Sequence, residues 1–117
     1  MIYELRNEKT GGKEMERKGY IKLYRKVLDD EVFKNPLAWQ LFSYCLLNAE
    51  AWENGETPLG TFETTYSQIT DDIGMTRPTI IKYLNFLKNK NMIKYWNNHQ
   101  KTTIQVVNFR RYNPPSK

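Results

Sequence analysis

The chain has 117 residues, 39% of them hydrophobic and 14% aromatic, with a formal net charge of +5. That is length for one domain with a modest core. Its single cysteine excludes an internal disulfide and suits a reducing cytoplasm. No apolar run approaches the ~18 residues of a membrane span, and residues 1–19 lack the apolar segment of a secretory signal.

Residues 1–18 are polar around Gly11-Gly12 and read as a flexible N-terminal arm, with a short strand conceivable at Ile2–Leu5. The domain proper is expected over 19–112. Gly19–Tyr24 alternates weakly and reads as extended, and Tyr24–Leu28 as a short helix. Asn35-Pro36 is a strong helix start, because Asn accepts from the free amides and Pro fits the first turn. The helix predicted from Pro36 to about Ala49 carries Leu37, Ala38, Leu41, Phe42, Cys45, Leu46 and Ala49 over more than half its circumference. Such a helix is packed on several sides, with Cys45 a core residue rather than a reactive thiol.

Glu53–Pro58 reads as a loop and Gly60–Thr64 as a short strand. Thr65-Tyr66-Ser67-Gln68 fits a capping box opening a helix over Tyr66–Ile73. Gly74 supplies the turn, Met75 its apolar plug, and Thr76 the cap of a second helix with Pro78 in its first turn. Ile80, Leu84 and Leu87 form that helix's buried stripe, bordered by Tyr83. At about 100° per residue, Pro78, Lys82, Asn85 and Asn89 lie opposite. Asn91 suits a left-handed residue past the helix end.

Two strands follow, Met92–Trp96 and Thr102–Phe109, joined by a turn at Asn97–Lys101, with Ile104 and Val106 facing the core. The residues 113–117 form a tail, where Pro114-Pro115 cannot continue a strand. The expected fold is α+β, mostly helical: a winged helix-turn-helix with a small antiparallel β-wing.

Charge changes sign along this chain. Residues 19–64 carry four Lys/Arg and seven Asp/Glu, whereas 65–117 carry nine and two, and no carboxylate side chain follows Asp72. Basic charge gathered behind a helix-turn-helix signal points to nucleic acid.

Catalytic constellations do not assemble. The one His and one Cys lie about fifty residues apart in different elements, Gly11-Gly12 lacks the Lys-Ser/Thr of a phosphate loop, and no metal-ligand spacing occurs. Asp29-Asp30-Glu31 and Asp71-Asp72 read as helix-start charges or a solvated face. No enzyme, cofactor or metal is expected.

For DNA there is a mechanism. The second helix of a helix-turn-helix enters the major groove N-terminus first, which offers Thr76, Arg77, Pro78 and Thr79, then Lys82 and Asn85. Arg77 suits guanine and Asn85 adenine, while Thr79 and Lys82 could equally hold phosphates. Lys94, His99 and Lys101 on the hairpin would meet the backbone or minor groove, although His99 also reads as a solvated turn residue.

Met75–Ile93, MTRPTIIKYLNFLKNKNMI, resembles without a gap the recognition helix and wing start of winged helix-turn-helix proteins such as the GntR type, with Asn91 in place of that family's glycine. The resemblance implies DNA contacts at Arg77, Thr79 and Lys82. Ile81 and Phe86 depart from it, standing where the family usually has basic residues; apolar side chains there could mark a protein contact.

Over about 19–112 the order of pieces is similar to the N-terminal domain of phage and Gram-positive DnaD-like replisome organisers. These pieces are GYIKLYRKVLDDEVFKNPLAWQLFSYCLLNA, GTFETTYSQITDDIG and a wing ending in VVNFRRY. The family's C-terminal domain has no counterpart in this sequence. The likeness implies replication initiation, origin binding and helicase-loading partners. The expected function is double-stranded DNA binding by a homodimer or larger oligomer, in phage or mobile-element replication. A small transcriptional repressor of the same fold, or a protein scaffold that no longer reads DNA, are the alternatives.

Overall fold

The structure, a computed structural model, describes residues 21–50 and 58–112. The expected arm at 1–18, the strand at 2–5, the start of the extended segment at 19–20, most of the 53–58 loop and the tail at 113–117 lie outside the described residues.

Ile21–Tyr24 joins no sheet; instead the Lys22 amide donates to the Tyr112 carbonyl at 2.7 Å. The predicted short helix is a 3-10 helix at Arg25–Asp29. A four-residue helix, α1 (Glu31–Lys34), follows where the sequence reading placed none. Its nucleus is Asp30, whose Oδ1 accepts from the Val32 amide at 2.8 Å. So the carboxylate run does start a helix.

Helix α2 (Pro36–Asn48) begins as expected, the Asn35 side chain accepting from the Ala38 amide at 3.2 Å. Ala38, Leu41, Phe42, Tyr44, Cys45 and Leu46 are buried. Leu37 is not part of this face: it is 42% exposed. About 100° round the helix from Ala38, it clears the contact surface.

After strand β1 (Thr61–Thr64) comes α3 (Tyr66–Ile73). Thr65 Oγ1 accepts from the Gln68 amide at 2.9 Å. Only that half of the capping box forms, because the Gln68 side chain donates to Asp72 Oδ1 at 2.9 Å instead. Tyr44 also donates to Asp72, at 2.6 Å, so this carboxylate, on a solvated face as expected, also joins α2 to α3.

Gly74 turns the chain with φ +77°, Met75 is buried behind it, and Thr70 Oγ1 donates across the turn to the Met75 carbonyl at 2.7 Å. Helix α4 (Arg77–Asn89) then buries Ile80, Leu84 and Leu87 completely. Burying each such side chain stabilises by roughly 1.5–3 kcal/mol. Thr76 occupies the cap position without accepting an amide; its hydroxyl meets that of Thr79 at 3.0 Å. Asn91 takes φ +61°, and the Met92 amide returns to the Leu87 carbonyl at 3.0 Å.

Strands β2 (Ile93–Asn98) and β3 (Lys101–Val106) complete an antiparallel sheet of order β1-β3-β2. Phe62, Ile104 and Tyr95 stand in one row across it. The hairpin loop is tighter than predicted. Asn97 and Asn98 pair with Thr102 and Lys101, which leaves His99-Gln100 as the loop, with His99 at φ +58°. Asn97 is held in the ladder because its Oδ1 accepts from Thr102 Oγ1 at 2.7 Å. Strand β3 stops short of Phe109 because Asn108 turns left-handed at φ +58°, after which Phe109–Arg111 forms a 3-10 turn.

Ile104 and Val106 join Leu41, Cys45, Ile69 and the α4 stripe in one core. The fold is α+β and mostly helical, a helix-turn-helix with a small antiparallel wing. No helix among the described residues is long and apolar enough to cross a membrane.

Candidate nucleic-acid interface

Helix α4 divides its residues sharply. Its buried stripe is locked to the core, so the opposite side is presented at a fixed angle. Thr76, Arg77, Pro78, Lys82, Asn85 and Asn89 are exposed, and Thr79 is half-buried. The face predicted at Pro78, Lys82, Asn85 and Asn89 is exposed, and the structure gives several side chains of this region partners.

The Arg77 guanidinium lies 4.9 Å from the centre of the Tyr66 ring, a cation–π contact from the start of α4 to the start of α3. The Tyr66 hydroxyl in turn donates to Asn97 Oδ1 of the wing at 3.4 Å. Further along α4, Tyr95 of β2 donates its hydroxyl to Asn85 Oδ1 at 2.8 Å. Partial burial raises the Tyr95 pKa above its ordinary value, so the donor keeps its proton. Two tyrosines thereby tie the helix to the wing. Their signal in the sequence was the β alternation Ile93, Tyr95, Asn97, which puts Tyr95 and Asn97 on the side facing the helices.

The cations fall into two groups. Lys82 lies 5.2 Å from the Tyr83 ring centre and Lys88 5.7 Å from that of Tyr95. Both heads remain exposed. Lys90 is committed elsewhere: it pairs with Glu31 of α1, and this contact holds the Glu31 carboxyl below the usual carboxylate range. On the wing, Lys94 and His99 are exposed, while Lys101 stands 3.6 Å from Glu63 of β1, both side chains well solvated at 64% and 58% exposure. An ion pair that open is worth little and is available for exchange. No hydrogen bond or ion pair links Lys94, His99 or Lys101 to α4 among the described residues.

Phe86 is not an apolar residue on the outer face. It is half-buried against the core, edge-on to Tyr83 at 6.1 Å between ring centres, with Lys90 above it at 5.6 Å. Ile81 is half-buried as well.

A shallow hollow lined by Tyr66, Ser67, Thr70, Asp71 and Arg77 opens beside the start of α4. Elsewhere chemistry is sparse. Burial pushes the Cys45 thiol up to about 12, which keeps it protonated and inert. Among the described residues no three His, Cys, Asp or Glu side chains gather as a metal site. What the arrangement offers is a rigid ridge of donors and cations on α4, flanked by a basic hairpin. The chain matches no protein-family profile, no curated protein and no solved structure.

Proposed function

We propose that the chain is a double-stranded DNA-binding protein that lays α4 in the major groove and its wing along the adjacent backbone. The observation that carries this reading is the exposed row Arg77, Pro78, Lys82, Asn85 and Asn89 opposite the buried Ile80, Leu84 and Leu87, with the wing fastened beside it. Arg77 and Asn85 are the base readers; Thr76, Pro78, Thr79 and Lys82 position the helix, and Lys94, His99 and Lys101 contact the backbone from the wing. The absence of any carboxylate side chain after Asp72 supports the same partner.

Within this reading the protein is a cytoplasmic, non-catalytic factor. The resemblance of residues 19–112 to DnaD-like organisers supports a role in replication initiation in a phage or mobile element, with helicase-loading proteins as further partners. One helix-turn-helix per chain grips weakly, so a dimer or larger assembly forms on DNA. The inward turn of Phe86 takes away one of the two apolar residues that favoured a scaffold.

Binding to random duplex DNA, followed across a salt series, tests the class. The log–log slope should report several phosphates at roughly −0.9 each. A flat response, or no binding at low salt, refutes DNA binding. Sedimentation showing a strict monomer both free and bound refutes the assembly.

A further inference from the structure

We propose that Trp96 is a stacking platform for unpaired bases, so that the wing takes single-stranded as well as duplex DNA. This rests on the reading that the wing meets DNA, and extends it to a nucleic acid that α4 does not address.

Trp96 lies on the face of β2 turned away from Tyr95 and Asn97, opposite Thr103. It is 47% exposed. The other aromatics of 65–112 are engaged. Tyr66 lies under Arg77, Tyr83 meets Phe86, and Tyr95 is bonded to Asn85. Phe109 is buried, and Tyr112 stands edge-on to Phe42. Trp96 makes no ring contact among the described residues. About half of Trp96 stays open to water on this edge strand, although its cross-strand neighbour Thr103 is buried, so part of the indole face is left available.

Its neighbours decide the occupant. Along the same face of β2 the flanking residues are Lys94 and Asn98, and Lys101 pairs across from Asn98. Glu63 is the one carboxylate in these rows. It lies two strands away, beyond Thr103, and beside Lys101. An indole bracketed by cations offers a flat apolar surface for a base and positive charge for the phosphates on either side, the combination that holds single strands without sequence preference. A duplex keeps its bases stacked inside and cannot use the ring face.

Oligothymidylate and a hairpin duplex of equal length, titrated at one fixed salt concentration, test this. Trp96→Thr should bind the oligothymidylate about tenfold more weakly than the parent while changing duplex affinity little. Trp96→Phe, which keeps an aromatic face, should restore most of the loss. Oligothymidylate should quench the parent's tryptophan emission and quench Trp96→Phe much less, a readout that needs no destabilising variant. Equal losses on both DNAs, no loss on the single strand, or quenching that persists in Trp96→Phe overturns the proposal. So does a single-strand loss that follows only from a changed oligomeric state in sedimentation. Failure of the parent to bind the duplex would instead strike at the proposed function.

Discussion

The Tyr95 hydroxyl donates to Asn85 Oδ1 at 2.8 Å, joining the first wing strand to the exposed side of α4. The bond engages the Oδ1 of an otherwise exposed Asn85. Tyr95→Phe and Asn85→Ala, each alone and together, should show a coupling of about 0.5–1.5 kcal/mol in urea unfolding. Strictly additive effects would mean that the wing and helix are held by packing alone.

Arg77 and Lys82 should separate in their effects on DNA. Lys82→Ala should weaken binding to every sequence and make the salt slope shallower by about one unit. Arg77→Ala should cost about 1–3 kcal/mol on the preferred site and much less elsewhere. Equal losses on all sequences would reassign Arg77 to phosphate.

Two glycines make a matched pair for stability. Gly60 and Gly74 have nearly the same φ, +78° and +77°. A Cβ on Gly74 meets nothing within 4 Å, so Gly74→Ala should lose about 1–2 kcal/mol, the strain of the left-handed backbone alone. A Cβ on Gly60 would stand 2.8 Å from Phe109 Cβ and 3.4 Å from the Val106 carbonyl. Gly60→Ala should therefore unfold at clearly lower denaturant than Gly74→Ala. Equal midpoints would show that Phe109 moves aside freely.

Alkali should destabilise the fold through groups that keep their protons when buried. Burial pushes Cys45 up to about 12, and burial with the Asp72 hydrogen bond raises Tyr44 above its ordinary value. Both are raised in the folded state, so their contribution is complete below the unfolded values of about 8.5 and about 10 and is lost as pH climbs through the folded ones. Denaturant midpoints should hold steady from neutrality to about pH 8 and fall beyond it, less steeply in Cys45→Ala. A constant midpoint up to about pH 10.5 would contradict this.

Much of this fold was legible because each local signal had a single geometric solution. Asn35-Pro36, the Thr65 cap and Gly74 fixed three junctions, and the spacing of Ile80, Leu84 and Leu87 fixed which side of α4 faces out. What escaped depended on tertiary partners. Asp30 caps a helix too short to show periodicity, and Gln68 abandons its capping role for Asp72. Asn97 and Asn98, good turn residues by propensity, stay in the ladder because Thr102 holds Asn97. At the candidate interface, the outward side chains could be read from spacing, but not their tethers: pairing Tyr66 with Arg77 or Tyr95 with Asn85 requires knowing how the wing folds back.

The bond between the Lys22 amide and the Tyr112 carbonyl brings the first and last stretches of the described body, near Ile21 and Tyr112, to one spot. That spot adjoins the Val106 end of β3, whereas the hairpin loop lies at its Lys101 end, five residue steps away or about 17 Å. A short linker from Tyr112 to Ile21, with the chain reopened elsewhere, is therefore a geometrically feasible circular permutation of residues 21–112. A fluorophore or fusion partner mounted near Lys22 would likewise stand well away from the wing tip.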